Sequence, residues 1–99
     1  MSMYRVEYLQ VARFDVLDAE AYLYEHSPSA AAKFVDAIGK QETLLIDHPL
    51  MYPAHEGNNY FRRMMLPYEY ICFYHVDEKV GLITVHRILR GMRDVASIL

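Results

Sequence analysis

The sequence lacks the features of a membrane protein or of a disulfide-rich secreted protein. Among its 99 residues there is one cysteine, Cys72, so no disulfide bond can form within the chain. No run of about 18 apolar residues is present, and the N-terminal residues lack the apolar core of a signal peptide. We therefore expect a cytoplasmic protein with no membrane partner.

An excess of positive charge is also missing, since 13 acidic residues outnumber 10 basic ones and give a formal net charge of −3. This sign is unfavourable for a general nucleic-acid binder, and we expect no sequence-specific DNA binding by this chain alone. The arginines are nevertheless concentrated, because five of the seven lie between residues 60 and 99. Two interpretations stay open: these arginines form one cationic face, or they are scattered and merely solvate a sheet.

Motifs for metal ions, nucleotides and nucleophilic catalysis are missing as well. The five histidines do not pair with each other, with Cys72 or with carboxylates at a zinc-binding spacing. The sequence has no glycine-rich phosphate loop and no nucleophile elbow. We therefore expect neither a metal site nor a cofactor. Cys72 lies in an apolar run, which favours a buried, unreactive thiol.

The sequence does contain enough apolar residues for one packed domain. The apolar fraction is 54%, and a chain of this length buries roughly 60–70% of the surface that its unfolded form exposes. We therefore expect residues 1–99 to form a single domain.

The first half of the chain predicts a strand followed by two helices. The strand covers Tyr4–Leu9, and the first helix runs from about Ala12 to His26. Ser27-Pro28 ends this helix and begins the second, which continues until just before His48-Pro49. The two helices should form an antiparallel hairpin. The apolar stripe of the first helix, which we expect to face the core, consists of Phe14, Leu17, Ala21 and Tyr24.

The second half predicts an antiparallel meander. Residues 60–66, 68–76 and 80–89 are three strand-like runs, Asp77–Lys79 is typical of a hairpin turn, and residues 92–99 predict a short C-terminal helix or tail. The fold class is therefore α+β, with the order β-α-α-β-β-β. In this two-layer arrangement a helical hairpin packs on one face of an antiparallel β-sheet, and the other face stays open for binding.

Alternation along the last strand predicts which of its side chains face the open side. Strand residues two positions apart point to the same face of a sheet. We therefore expect His86 and Arg90 on the open face, and Arg87 and Leu89 on the face covered by the helices.

The candidate site residues are four arginines and one histidine of this second half. Either Arg62 or Arg63 must point outward, and a one-residue slip in register exchanges them. Together with His86, Arg90 and Arg93, such an arginine would form an anion site, because a guanidinium matches phosphate or carboxylate oxygens in a bidentate way. The cluster has three possible uses: RNA cleavage with His86 as acid or base, binding of an acidic protein partner, or solvation of the sheet.

Several motifs stand in an order that is specific in combination. Residues 60–68, Tyr-Phe-Arg-Arg-Met-Met-Leu-Pro-Tyr, are followed by an apolar run that closes on Tyr-His-Val-Asp at residues 74–77. Residues 85–94 read Val-His-Arg-Ile-Leu-Arg-Gly-Met-Arg-Asp, and the first half contains the helix break Ser-Pro-x-x-Ala at residues 27–31. Over almost the whole chain, this order resembles the RelE/ParE family of toxins from type II toxin–antitoxin systems.

The resemblance implies a toxin that is neutralised by a cognate antitoxin, with roles in plasmid stabilisation or the stress response. It leaves two targets open. RelE-like members cut mRNA in the ribosome with lysines, arginines and often a C-terminal tyrosine or a histidine. ParE-like members lack that set and poison DNA gyrase.

Departures from the nuclease pattern favour the ParE-like branch. Arg90 stands where many members carry histidine, no tyrosine follows Arg93, and no lysine lies on the predicted meander strands. The leading hypothesis is therefore a non-enzymatic toxin that binds a protein target, most plausibly DNA gyrase. The alternatives are a ribosome-dependent mRNA endoribonuclease, with Arg62 or Arg63, His86, Arg90 and Arg93 as its site, and a degenerate member without toxicity.

Overall fold

The computed structural model describes residues 3–91 and contains the elements in the predicted order. The predicted C-terminal helix or tail, with Arg93, lies outside this described part. Among the residues described, no helix is long and apolar enough to cross a membrane. The elements are β1 (Arg5–Tyr8), α1 (Gln10–His26), α2 (Pro28–Asp47), β2 (Arg62–Met65), a 3-10 helix (Pro67–Glu69), β3 (Tyr70–Asp77) and β4 (Leu82–Arg90).

The expected two-layer α+β fold is confirmed. The sheet is mixed, whereas an antiparallel sheet was expected. Strands β2, β3 and β4 form the predicted antiparallel meander. Strand β1 joins it as a parallel neighbour of β4, so the strand order across the sheet is β1-β4-β3-β2. The helical hairpin covers one face of this sheet.

The break between the two helices forms as Ser27-Pro28 predicts. The backbone of Ser27 is extended, its Oγ accepts a hydrogen bond from the Ala30 amide at 3.3 Å, and Pro28 occupies the first turn of α2. Proline suits this position because the amide that it lacks would have no partner within the helix. The local sequence therefore determines where the hairpin turns.

The core lies between α2 and the sheet. Phe34 and Leu45 from α2 meet Tyr74, Ile83 and Val85 from the central strands, and all five are almost fully buried. Cys72 lies in the same cluster, where burial raises the pKa of its thiol to about 12. The expectation of a buried thiol is therefore confirmed.

The predicted buried stripe of α1 is wrong. Phe14, Leu17 and Tyr24 are 54%, 59% and 62% exposed. The buried face is instead formed by the smaller residues Ala12 and Ala19, together with Leu23. Alanines let α1 approach its neighbours closely, so the larger apolar side chains are left on the outer surface.

The second face of the sheet is also less open than expected. Ile71 and Phe73 on that face are 2% and 0% exposed and pack with Leu89 in a separate apolar cluster. His55, from the loop before β2, lies edge-on to Phe73 with ring centroids 5.3 Å apart. This face is therefore a second, small core.

Candidate functional site

A β-bulge in β4 changes the expected distribution of the candidate residues. Phe73 pairs with Arg87 and Tyr74 with Val85, so His86 has no direct partner on β3. A bulge inserts one extra residue and reverses the alternation of the side chains that follow it. The prediction that His86 and Arg90 share a face and that Leu89 faces the helices is therefore wrong. Arg87 does contact the helix layer.

Arg87 forms an ion pair with Asp15 of α1. Its Nε and Nη2 donate to the two carboxylate oxygens at 2.7 and 2.9 Å, and the Ile88 amide donates to Asp15 Oδ2 at 3.0 Å. The hydrogen bond to Asp15 raises the pKa of Arg87, against an opposing effect of burial. Strand β1 pairs with β4 only as far as Val85. Beyond that point the Asp15 carboxylate accepts the hydrogen bond from the Ile88 amide of β4. Arg87 thus stabilises the fold.

The register of β2 determines which of Arg62 and Arg63 lies on the second face of the sheet. Arg63 stands opposite Phe73, on the second face, whereas Arg62 stands opposite Tyr74, on the face toward the helices. Arg62 Nη1 donates to the carbonyl oxygen of Tyr52 at 2.7 Å. Its charged group therefore holds the loop that precedes β2, and Arg63 is the arginine on the second face.

Histidines and aromatic rings gather at the second face beside the bulge. The rings of His75 and Tyr60 are stacked, with centroids 3.7 Å apart, and His75 Nδ1 lies 2.9 Å from the Tyr60 carbonyl oxygen. His86 packs against the Phe61 ring at 4.9 Å. Burial, with a smaller contribution from His75, lowers the pKa of His86. His75 and Tyr60 have no signal in the sequence, because their stacking depends on how the loop before β2 folds back.

Arg90 lies at the end of α1, away from this cluster. Its Nη1 donates to the Tyr22 hydroxyl at 3.0 Å, and its guanidinium carbon lies 5.0 Å from the centroid of that ring. The Nη2 atom is 3.9 Å from Glu69 Oε2. Among the residues that the structure describes, the predicted arginines and His86 therefore do not converge on one anion site.

A broad apolar groove lies between α1, α2 and β1. It has a volume of about 380 Å³ and is lined by Tyr8, Arg13, Val16, Leu17 and Ile38. Tyr8 donates a hydrogen bond to Glu42 Oε2 at 2.9 Å, and burial together with Glu42 raises the pKa of this tyrosine. One wall of the groove is the edge strand β1, whose outer side has no strand neighbour in the described sheet.

The helical hairpin on a four-stranded mixed sheet is similar to folds in solved structures of toxin–antitoxin systems. One similar structure is the chromosomal ParDE toxin–antitoxin system of P. aeruginosa, with a TM-score of 0.71, 19% identity, and coverage of 91% of this chain and 98% of the other. Another is the toxin–antitoxin complex RelBE2 of Mycobacterium tuberculosis, with a TM-score of 0.60, 18% identity, and coverage of 88% and 96%.

The sequence comparison then gives the family. The family model described as the ParE toxin of the type II toxin–antitoxin system parDE matches residues 6–95. This chain therefore belongs to the ParE toxin family. No curated protein matches the chain.

Proposed function

We propose that this ParE-family chain is an active toxin that binds a protein target, DNA gyrase, and that a cognate antitoxin neutralises it in the cytoplasm. The observation that carries the proposal is the separation of the candidate catalytic groups. Arg62 holds a loop and Arg90 lies at the end of α1. Arg63 and His86 lie on the second face of the sheet. Cleavage of RNA needs such groups within hydrogen-bond reach of one phosphate.

The antitoxin is the partner that suits the apolar groove beside β1. The two similar structures are toxin–antitoxin systems. The groove combines an apolar helix surface around Leu17 with a sheet edge, which suits an amphipathic helix and an added strand. We therefore place the antitoxin on this side of the molecule.

The target is tested by expressing the chain without its antitoxin. A gyrase poison should induce the DNA damage response while translation continues at first, and the purified chain should inhibit supercoiling of plasmid DNA by gyrase. Co-expression of the reading frame next to the toxin gene should restore growth. Arrest of translation in a purified system, with gyrase unaffected, would contradict the proposal.

The nuclease alternative keeps one supporting observation, the histidine and aromatic cluster with Arg63 on the second face. His75 and His86 contact Tyr60 and Phe61 there. If the chain is a nuclease, His86→Ala should abolish transcript cleavage and toxicity. If His86→Ala and Arg90→Ala are both as toxic as the wild type, the nuclease alternative is wrong. If the wild type is itself harmless, the chain is a degenerate member.

A further inference from the structure

The loop formed by residues 55–61, just before β2, is closed at its base by backbone hydrogen bonds. The His55 amide donates to the Phe61 carbonyl oxygen at 2.8 Å. The residues that flank the loop, Ala54 and Arg62, form an antiparallel bridge. Because its two ends are held together, the loop can lie on the sheet or leave it as one unit.

Three contacts between rings hold this loop on the second face of the sheet, and each of them contains one histidine. The pairs are His55 with Phe73, Tyr60 with His75, and Phe61 with His86, with ring centroids 5.3, 3.7 and 4.9 Å apart. The bulge in β4 contributes to this arrangement, because a bulged residue lies outside the regular strand pairing. Histidine is the side chain that changes its charge near neutral pH, so the charge of this contact surface depends on pH.

His55 is buried beneath the loop. It is 8% exposed, and its Nδ1 atom has no hydrogen-bond partner in the described part of the chain. Its ring lies edge-on to Phe73, which is fully buried. An imidazolium in this position would be a buried charge beside an apolar ring, with one N–H group unpaired, and both features are unfavourable. Protonation of His55 therefore favours a loop that has left the sheet.

His86 favours the closed loop in its neutral form. Burial lowers its pKa below the ordinary value of 6.5, with a smaller contribution from His75. His75 itself behaves differently, because the ring and the carbonyl oxygen of Tyr60 both stabilise an imidazolium. A charge on His75 instead repels a charge on His86. The contribution of His86 to the closed loop is therefore fully present above about pH 6.5 and declines as the pH falls toward its lowered pKa.

Charged side chains also come from the elements around the three histidines. Glu56 of the loop and Asp77 at the end of β3 are exposed to water. Arg63 of β2 and Arg87 of β4 are cations, and Arg87 is paired with Asp15. In the described part of the chain, the histidine rings thus contact aromatic rings and a backbone carbonyl oxygen, and no carboxylate holds an imidazolium in the closed loop.

We propose that the 55–61 loop is an acid-sensitive lid on the second face of the sheet. The neutral rings of His55 and His86 keep the lid closed, and their protonation releases it and uncovers Phe73. The main core is unaffected, because it lies on the other face, between α2 and the sheet. The lid goes beyond the proposed function, since it does not depend on which target the toxin has.

Amide hydrogen exchange of the full chain, followed by NMR at about pH 7.5 and about pH 5.5, separates opening of the lid from global unfolding. After correction for intrinsic exchange rates, the protection factor of the His55 amide should fall at least tenfold at the lower pH. The Gly81 amide, which donates to the Asp77 carbonyl at 2.9 Å in the other turn, is the internal control and should change less than threefold. The proposal is overturned if protection of the His55 amide does not depend on pH, or if both amides lose protection equally.

Phenylalanine variants keep the rings and remove their titration. His86→Phe should reduce the fall in protection of the residue 55 amide at least threefold, and combining it with His55→Phe should abolish the fall. His26→Phe is the matched control, because His26 lies at the exposed end of α1, and should keep the wild-type fall. The NMR spectrum reports whether each variant is folded, and His86→Phe decides alone if the double variant does not fold. An undiminished fall in His86→Phe, or an equal reduction in His26→Phe, would also overturn the proposal.

Discussion

At the scale of single residues, Asp15 decides which face of α1 is buried. Its side chain is 11% exposed, and it accepts hydrogen bonds from Arg87 and from the Ile88 amide. An acidic residue in an amphipathic helix normally faces water. The partner that reverses this preference is 72 residues away along the chain.

Removing the charge of Asp15 should destabilise the protein. Asp15→Asn leaves the part-buried Arg87 guanidinium without a full counter-charge, and we expect a loss of about 1–3 kcal/mol in the free energy of unfolding. Urea denaturation measures this loss. The matched control is Asp36→Asn, because Asp36 pairs with Lys40 on an exposed helix surface and should cost less than about 0.5 kcal/mol. Equal losses in the free energy of unfolding would show that the Asp15–Arg87 pair stabilises the fold no more than an exposed ion pair does.

His86 should make stability depend on pH. Burial lowers its pKa below the ordinary value of 6.5, so the folded state binds fewer protons than the unfolded state at mildly acidic pH. Stability is therefore fully present above about pH 6.5 and declines as the pH falls from 6.5 toward the lowered pKa. The urea midpoint measured between pH 8 and pH 5 checks this. His86→Phe should flatten the profile, while His26→Phe, which alters an exposed residue, should not.

At the scale of elements, the turn between β3 and β4 depends on one glycine. Gly81 has a φ of +69°, and a Cβ there would lie 2.5 Å from the Met3 carbonyl oxygen. Both the backbone conformation and the close approach of the segment before β1 therefore require glycine. Gly39 in α2 is the opposite case, because a Cβ added there would meet nothing within 4 Å.

Alanine substitutions at Gly81 and Gly39 should therefore change the stability of the protein in opposite directions. Gly81→Ala should destabilise the protein by more than about 1 kcal/mol through strain and displacement of the segment before β1. Gly39→Ala should stabilise it by about 0.5–1 kcal/mol, since glycine is a poor residue inside a helix. Thermal denaturation of both variants provides the comparison. Stabilisation by Gly81→Ala would contradict the geometry of this turn.

At the scale of the whole molecule, the stripe of α1 that was expected in the core lies on the surface beside the groove where we propose that the antitoxin binds. Leu17 is 59% exposed and lines the groove beside β1. Exposed apolar side chains grouped beside a groove are typical of protein-binding surfaces. The periodicity in the sequence was genuine, but it marks an exposed apolar surface instead of the core.

This interpretation predicts that antitoxin binding can be lost without loss of stability. Leu17→Glu should weaken binding of the cognate antitoxin at least tenfold and leave the melting temperature within about 2 °C of wild type, because the side chain is already in water. Val80→Glu is the matched control, since Val80 is also 59% exposed but lies in the turn between β3 and β4. Calorimetric titration measures both. Equal binding by the two variants would place the antitoxin elsewhere.

The sequence by itself determined the order of elements, the helix break at Ser27-Pro28 and the family, because these depend on local periodicity, caps and motif order. Tertiary structure decided which faces are buried and where the charged groups lie. The bulge at His86 separates it from Arg90, and Asp15 pairs with Arg87 while the large apolar stripe of α1 faces outward. Neither effect has a local signal, because each depends on contacts between residues distant in the chain. The expected cationic site is therefore not assembled by the described residues, and an apolar groove lies beside β1.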